Sequence, residues 1–308
     1  MQKLTILITG INGFVGHHLA RELSGRGYEV FGTGMEQDLE SSLKPIVAKY
    51  FGDCDLTSKE ALDKIPLSNI CAVINLAGLA GVGPSYQQKE KYMRINVEVH
   101  TRLVESILSR NLQNQIRVVA VSTGAVYDSV QPMPLTESSK LNNEGSPYAQ
   151  SKIAMEKKLR AYISKGVDII IARPFNHIGP GQQNGFLIPD LIDQLSKGNS
   201  VTVGSLETKR DYTDVRDVVR AYAILATQKK LGHRLYNICS GKSVSGEEIL
   251  LRLTNLFNRH DLEITVDKSR MRPNDPKDLY GSYKLLNTDT DWQPSINLER
   301  TLTDLVRQ

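Results

Sequence analysis

The chain has 308 residues, of which 40% are hydrophobic and 23% are charged, so it suits one large domain or two closely joined ones around an apolar core. A net charge of +4, with Lys and Arg interspersed among Asp and Glu, argues against a protein that binds nucleic acid or a membrane surface. The first residues enter an apolar strand without a signal-peptide pattern, and no apolar run reaches the ~18 residues of a membrane span, so we expect a cytoplasmic protein.

Short apolar runs alternate with helical patterns in the first half of the chain. This alternation of strand and helix is typical of a parallel sheet that is covered by helices on both faces. We therefore predict an α/β protein with a Rossmann-type, doubly wound parallel sheet of six or seven strands. The strands are predicted over 4–9, 29–33, 72–77, 117–122 and 167–173, and the helices over 16–25, 93–108 and 148–163.

The pattern becomes less regular after Pro174, with loops rich in Gly, Pro and Asn, a helix over 187–196 and short strands near Val201 and Tyr236. We predict a smaller α/β domain here, placed over the carboxyl edge of the sheet. The expected division is a dinucleotide-binding domain over 1–173 and a mainly substrate-binding domain over 174–308. The chain is expected to return to the first domain at about 212–238 and 276–288.

The three cysteines are far apart in the sequence. Cys54, Cys71 and Cys239 show no CxxC or Cys/His spacing, and each lies in or beside an apolar run. We therefore expect three buried free thiols and no metal site.

A glycine-rich turn follows the first strand and precedes the first helix. Gly10, Gly13 and Gly16 form a GxxGxxG pattern, and this strand-turn-helix context is the one in which the pattern indicates dinucleotide binding. Gly10 is expected to make the turn, Gly13 to let the backbone approach a pyrophosphate, and Gly16 to allow close packing of the helix on the strand. The alternative is a tight turn that binds nothing.

The end of the second strand is where an acid selects NAD or a basic residue selects NADP. The sequence offers Gly34 and Met35 there, while Lys44 and Arg26 are distant. Because nothing at these two positions repels a 2′-phosphate, we expect NADP(H) to be favoured over NAD(H). Asp55 follows a short third strand that precedes the one predicted over 72–77, and it is expected to meet the adenine amine; the alternative, compatible with it, is a helix N-cap made by Asp55 or Thr57.

Tyr148 and Lys152 are four residues apart at the start of a predicted helix, so their side chains share one face. A phenol with a pKa near 10 transfers protons poorly at neutral pH unless a nearby cation favours its ionised form. Lys152 provides that cation, and Ser122 and Thr123 place hydroxyls at the end of a strand, where one can bond the same substrate oxygen. The alternative is an exposed Tyr–Lys pair on a solvated helix.

The chain resembles the extended short-chain dehydrogenases/reductases, the NAD-dependent epimerase/dehydratase family, over essentially its whole length. Segments 176–182, 185–186, 210–217 and 272–273 make it most similar to those members that reduce GDP-4-keto-6-deoxy-D-mannose. The motifs that carry the family resemblance are Thr9 to Gly16, Asn75-Leu76-Ala77-Gly78, Asn96-Val97, Thr123 four residues before Tyr127, Tyr148 with Lys152, and Arg173-Pro174-Phe175-Asn176.

The resemblance implies a role for each matching residue. Asn96 is implied to have a structural role or to hold a water molecule. His177 is implied to pack in its loop or to lie at the edge of the cofactor. Arg210 is implied to clamp the substrate diphosphate; the alternative is a salt bridge with Asp211 or Asp275. The catalytic residues would be Thr123, Tyr148 and Lys152; the cofactor would be bound by Gly10, Asn12, Gly13, Phe14, Val15, Gly16, Asp55, Leu56, Leu76, Ala77, Gly78, Asn96, Tyr148, Lys152, Phe175 and His177; and the substrate by Thr123, Asn176, Arg210 and Arg272.

Departures from the family pattern narrow the chemistry. Related dehydratases carry an Asp-Glu pair directly after the catalytic Thr, and this chain has Gly124 and Ala125 there, so dehydration is disfavoured. Related synthases that epimerise before reduction use a cysteine at the position of Ala125, so double epimerisation is disfavoured too. The segment over 79–83 lacks the polar residues that many relatives have there, so the sequence does not assign sugar contacts to this segment.

Three functions remain at this point. The first is NAD(P)H-dependent reduction of the C4 ketone of a nucleotide-linked 4-keto-6-deoxy-hexose, with GDP-4-keto-6-deoxy-D-mannose favoured and GDP-D-rhamnose or its C4 epimer as product. The second is a nucleotide-sugar C4 epimerase with tightly bound NAD, and the third is a non-catalytic dinucleotide-binding sensor. The expected partners are a nucleotide-sugar substrate and a second copy of the chain in a homodimer.

Overall fold

The computed structural model describes residues 3–271 and 275–307 of the chain. The strands are β1 (Thr5–Thr9), β2 (Glu29–Thr33), β3 (Lys49–Phe51), β4 (Ile70–Asn75), β5 (Arg117–Val121), β6 (Ile169–Pro174), β7 (Asn176–Ile178), β8 (Ser200–Val203), β9 (Lys209–Arg210), β10 (Tyr212–Asp214), β11 (Leu235–Ile238), β12 (Val244–Ser245), β13 (Glu263–Val266) and β14 (Asp278–Leu279). The helices are α1 (Phe14–Gly25), α2 (Lys59–Asp63), α3 (Val82–Ser85), α4 (Lys89–Ser109), α5 (Pro147–Ile163), α6 (Leu187–Lys197), α7 (Val215–Thr227), α8 (Gly246–Leu256), α9 (Lys284–Thr290) and α10 (Leu298–Val306).

Seven parallel strands form the central sheet in the order β11-β6-β5-β4-β1-β2-β3. The predicted doubly wound parallel sheet is therefore confirmed. It has seven strands, the larger of the two numbers that were predicted. The order reverses between β1 and β4, and the crevice outside the carboxyl ends of such strands is where this architecture binds ligands. Thr9 at the end of β1 lies beside Thr33 of β2 and Asn75 of β4, so the predicted site segments meet at one edge.

Helices cover both faces of the sheet because the strand side chains alternate between them. Ile6 and Ile8 pack with α1 and α7 on one face, whereas Leu7 packs with α4 and α5 on the other. The central strand β1 is thus buried at all five residues, as expected for a sheet covered on both sides. None of the helices in the described part of the chain is long and apolar enough to cross a membrane.

The segments after Pro174 form a separate apolar cluster from α6, α8, α10 and the short strand β8. Small sheets accompany it: β8 pairs with β13, β9 with β12 and β14, and β7 with β10. The chain also returns to the central sheet, since β11 pairs with β6 and α7 packs on α1.

All three cysteine thiols are free, and Cys54 and Cys239 are buried as predicted. Cys71 is only half-buried, which corrects the expectation that all three would be enclosed.

Candidate active site

The turn between β1 and α1 lies at the carboxyl edge of the sheet. Gly10 has φ +66° and its carbonyl accepts a hydrogen bond from the Gly13 amide at 3.1 Å. A Cβ on Gly16 would lie 2.4 Å from the Ile11 carbonyl oxygen, so the helix can approach the strand only if glycine is there. The first amide groups of α1 have no partners within the helix, and they make its N-terminus favourable for an anion.

The turn after β4 faces this glycine-rich turn. A Cβ on Gly10 would lie 3.5 Å from the Cα and amide nitrogen of Ala77. The Thr9 hydroxyl accepts from the Ala77 amide at 3.1 Å and donates to the Asn75 side chain at 2.6 Å, which fixes the two turns together. The predicted cofactor residues that the two turns bring together are Gly10, Gly13, Phe14, Val15, Gly16, Leu76, Ala77 and Gly78.

Asn96 of α4 is fully buried behind the second turn. Its side-chain nitrogen donates to the Leu79 carbonyl at 3.1 Å and to the Ser151 hydroxyl at 2.9 Å, and its oxygen accepts from the Leu79 amide at 2.7 Å. Both amide hydrogens are therefore used within the protein. This geometry favours the structural alternative for Asn96, and its place among the cofactor residues stays a prediction.

Asn12 binds the loop after β2 rather than facing the glycine turn. Its Nδ2 lies 3.0 Å from the Asp38 carbonyl and 3.3 Å from the Glu36 carboxylate, and its Oδ1 accepts from the Glu40 amide at 3.1 Å. These bonds occupy the Asn12 side chain, and the predicted place of residue 12 at the pyrophosphate stays a prediction. The contact does reveal a residue that sequence reasoning missed: Glu36, a carboxylate only two residues beyond Gly34.

Asp55 and Leu56 follow β3 as predicted. The Asp55 carboxylate accepts from the amide and hydroxyl of Thr57 at 2.9 and 2.8 Å, and Leu56 is buried. The N-cap of α2 is Ser58, whose hydroxyl accepts from the Ala61 amide, so the alternative that Asp55 or Thr57 caps this helix is wrong.

Tyr148 lies in the first turn of α5. Ser146 caps the helix and Pro147 opens it, which is a favourable beginning because proline has no amide hydrogen to leave unpaired. The half-buried Tyr148 ring meets Tyr92 of α4 edge to face, with centroids 6.3 Å apart. Tyr92 was not predicted; it is a buried aromatic residue whose hydroxyl donates to the Ala80 carbonyl.

Thr123 and Lys152 complete the arrangement. Thr123 lies two residues beyond the end of β5, and its hydroxyl accepts from the Ala125 amide at 3.2 Å. Burial raises the pKa of the Tyr148 phenol, and the neighbouring Thr123 side chain acts against the rise. Lys152 is buried one turn beyond Tyr148, and its Nζ donates to the Val121 carbonyl at 2.9 Å. Burial lowers the pKa of Lys152 to about 8. The exposed-pair alternative is therefore wrong.

The hydroxyl of Ser122 is not available to a substrate. It donates to the buried carboxylate of Glu156 at 2.5 Å. Of the two hydroxyls that follow β5, the one that affects the pKa of Tyr148 belongs to Thr123.

His177 and Phe175 differ in position. The His177 ring stacks on Phe14 at the start of α1, with centroids 6.2 Å apart, which places it beside the glycine-rich turn. The Phe175 ring is buried, and Cβ atoms built on Gly124 and Gly281 would lie 2.9 and 2.5 Å from it. The fold therefore uses the Phe175 ring as a core residue, and the place of residue 175 among the cofactor residues stays a prediction.

The predicted substrate residues lie beyond β6. Asn176 is exposed at the start of β7. Arg210 bonds the Asp275 carboxylate at 2.6 Å and the Lys209 and Pro276 carbonyls, so the ion pair that we considered as an alternative is formed, with Asp275 rather than Asp211. Arg272 lies outside the described residues.

Comparison with known proteins identifies the family. Residues 6–239 match the model of the NAD dependent epimerase/dehydratase family. The chain belongs to this family. It is an NAD(P)-binding oxidoreductase of the extended short-chain dehydrogenase/reductase type.

Three relatives of this family member are informative. GDP-6-deoxy-D-mannose reductase from Pseudomonas aeruginosa is 30% identical, over 96% of this chain and 94% of the relative. UDP-glucose 4-epimerase from Pasteurella multocida is 28% identical, over 98% and 96%. The structure described as RMD from Pseudomonas aeruginosa complexed with NADPH superposes with a TM-score of 0.84 at 28% identity, covering 99% of this chain and 98% of that one.

Proposed function

We propose that this enzyme reduces the C4 ketone of a nucleotide-linked 4-keto-6-deoxy-hexose with NAD(P)H, and that GDP-4-keto-6-deoxy-D-mannose is the preferred substrate. The observation that carries the proposal is the convergence of Thr123, Tyr148 and Lys152 at the carboxyl edge of the sheet, in a chain similar to a GDP-6-deoxy-D-mannose reductase. The product is GDP-D-rhamnose or its C4 epimer.

The two facing turns suit a dinucleotide. Glycine at positions 10, 13 and 16 keeps side chains out of the space beside the N-terminus of α1, and that terminus favours a pyrophosphate. The nicotinamide cofactor, when bound, supplies the hydride that reduces the ketone. We assign cofactor binding to residues 1–173 with the returning segments 212–238 and 276–288, and substrate binding mainly to residues 174–308.

The side chains of the chain itself handle the proton. The Tyr148 phenol donates a proton to the C4 oxygen as the carbonyl becomes an alcohol, and Thr123 shares a hydrogen bond with that oxygen. The Lys152 cation stabilises the phenolate that remains. Gly124 and Ala125 supply no second acid or base, so the proposed reaction stops at reduction.

The test is a set of 4-keto sugar nucleotides with different bases, in which the loss of NAD(P)H absorbance is followed. We expect stoichiometric oxidation of the cofactor, fastest with the GDP-linked sugar. A C4 epimerase, favoured by the likeness to UDP-glucose 4-epimerase, would instead purify with tightly held NAD and interconvert UDP-sugars without net oxidation. A sensor would bind the cofactor and turn over none of these compounds.

The choice of cofactor depends on the loop after β2. The sequence around Gly34 and Met35 predicts NADPH, and that prediction is untested. The Glu36 carboxylate argues in the opposite direction, because one of its oxygens lies 2.7 Å from the place of a Cβ on Gly34 and 3.3 Å from the Asn12 amide. A carboxylate beside this turn repels a 2′-phosphate and can accept a hydrogen bond from a 2′-hydroxyl. We therefore propose NADH as the preferred cofactor, in place of NADPH.

The decisive measurement is the ratio of kcat/KM for NADH to that for NADPH. We expect a ratio above one in the parent and a fall of about tenfold in Glu36→Gln, the effect of about 1.4 kcal/mol of lost charge repulsion. Glu40→Gln, in the same loop, is the matched control and should leave the ratio unchanged. Gly34→Asp is a poor probe because its Cβ would lie 2.4 Å from the Tyr50 hydroxyl. A parent that prefers NADPH supports the sequence-based prediction instead.

We further propose a homodimer. Met93 and Val97 of α4 and Ala154 of α5 line a shallow apolar groove, and Met93 is exposed there. A second copy of the chain can cover this surface. Light scattering should give twice the monomer mass for the parent and the monomer mass for Val97→Lys. A monomeric parent contradicts this part of the proposal.

A further inference from the structure

A buried ionic cluster surrounds Glu156 on α5, the helix that carries Tyr148 and Lys152. Glu156 of α5 is 1% exposed, and its carboxylate accepts hydrogen bonds from the Ser122 hydroxyl at 2.5 Å and from Arg173 Nε and Nη2 at 2.8 and 2.5 Å. Arg173 is also 1% exposed. The reaction described above assigns no role to either charge.

The cluster connects three elements that carry the site. Ser122 lies between Val121, whose carbonyl holds the Lys152 ammonium, and the catalytic Thr123. Arg173 belongs to the neighbouring strand β6, and Glu156 belongs to the helix that carries Tyr148 and Lys152. One carboxylate therefore ties the carboxyl ends of two strands to α5.

The negative charge of Glu156 also acts on Lys152. Lys152 precedes it by one helical turn, a spacing that places the two side chains on the same face. The other titratable groups around this pair are His100 on α4, Tyr148 on α5, Arg173 on β6 and Tyr222 on α7, with Tyr127 and Glu137 beyond Arg173. The exposed Arg160 of α5 also faces Glu156, with its Nη2 3.9 Å from the carboxylate.

Glu156 opposes the effect of burial on Lys152. Burial lowers the pKa of Lys152 to about 8, whereas the Glu156 carboxylate raises it. His100 does not compensate, because burial lowers its pKa well below the ordinary value and leaves the ring neutral. Without the carboxylate, two buried cations, Lys152 and Arg173, would have no anion between them, and Lys152 would lose its proton at a lower pH.

We propose that Glu156 is a positioning residue of this reductase: through Ser122 and Arg173 it aligns the end of β5 with α5, and it holds Lys152 in its charged form at neutral pH. This inference rests on the proposed function, in which the Lys152 cation assists proton transfer by Tyr148. Glu156 itself contacts neither substrate nor cofactor in this role.

The test is the pH dependence of kcat for parent, Glu156→Gln and Ser122→Ala. The parent should lose turnover as pH rises through about 8. Glu156→Gln keeps a side chain of the same shape without the charge, so this basic limb should move down by about one pH unit, while turnover at pH 6 stays within about tenfold of the parent. Ser122→Ala removes one bond of the cluster and no charge, so its basic limb should stay in place.

Two outcomes would overturn the proposal: a basic limb of Glu156→Gln at the parent's pH, or an equal shift in Ser122→Ala. If Glu156→Gln does not fold, the double variant Glu156→Gln/Arg173→Gln replaces it, because it leaves no unpaired charge in the cluster. Its basic limb should also lie below the parent's. Tyr148→Phe is measured in parallel: if it keeps full turnover the proposed function fails, whereas an inactive Tyr148→Phe with an unmoved Glu156→Gln limb refutes the positioning role alone.

Discussion

Two tyrosines near the site allow a crossed experiment on catalysis and stability. Tyr148 is half-buried at the carboxyl edge beside Thr123, whereas Tyr127 is 2% exposed and its hydroxyl donates to the Asn237 side chain at 2.6 Å. The Tyr127 ring also stacks on Phe175, with centroids 6.1 Å apart. Substitution of either tyrosine by Phe removes its hydroxyl group and keeps the ring.

Tyr148→Phe should keep the fold and bind cofactor as the parent does, because its ring still packs against Tyr92. It should lose about 10²- to 10⁴-fold in kcat, the usual value of a positioned general acid, which corresponds to about 2.7 to 5.4 kcal/mol in the activation barrier. Tyr127→Phe should instead lower stability and leave kcat nearly unchanged. It leaves the buried Asn237 oxygen without this donor, which costs about 1 to 3 kcal/mol of stability and little turnover.

The assay combines three measurements on each variant: kcat from NAD(P)H absorbance with a nucleotide-linked 4-keto sugar, cofactor affinity by calorimetry, and the free energy of unfolding in urea. If Tyr148→Phe turns over within about threefold of the parent while Tyr127→Phe does not, the assignment of the proton donor is wrong.

Two further variants test the segment over 210–211. Arg210→Ala should weaken binding of a nucleoside diphosphate by about 10- to 150-fold in a calorimetric titration, since charge-assisted bonds contribute about 1.5 to 3 kcal/mol. Cofactor affinity should not change. If diphosphate binding is also unchanged, Arg210 is only the ion-pair partner of Asp275. Asp211→Asn should lower the free energy of unfolding by about 2 kcal/mol, because the buried carboxylate accepts from the Ser240 and Gly241 amides at 2.7 and 3.0 Å and an amide nitrogen cannot. Asp193→Asn, an exposed ion-pair partner, is its control and should change urea stability by less than about 0.5 kcal/mol.

Much of the fold could be predicted from local sequence pattern. The strand over 29–33 has the predicted ends, and the glycine-rich turn has the conformation that its spacing suggests, because hydrophobic period and turn chemistry act over a few residues. The strands after Pro174 were mostly missed. Several of them are only two or three residues long, and their pairing depends on the tertiary arrangement rather than on their own composition.

The partners of polar side chains were the least predictable part. Asn12 was expected at the pyrophosphate, yet it bonds residues 24 to 28 positions away. Asn96 was expected at the cofactor, yet its partners are Leu79 and Ser151. An amide forms its bonds with whichever groups the fold brings near it, so its sequence position restricts its partners very little.

Charge balance, by contrast, could have predicted one missed residue. A lysine that the reaction needs in a buried position pays a desolvation penalty of several kcal/mol, and so does a second buried cation such as Arg173. A buried anion must lie near them, and the helix offers only positions three or four residues from Lys152 on its inner face. Glu156 is the carboxylate at that spacing. Glu36 differs from Glu156 because it is exposed, in the loop after β2, directly after Met35. Both carboxylates follow a recognised motif by four residues or fewer, so extending each motif by that distance would have found them.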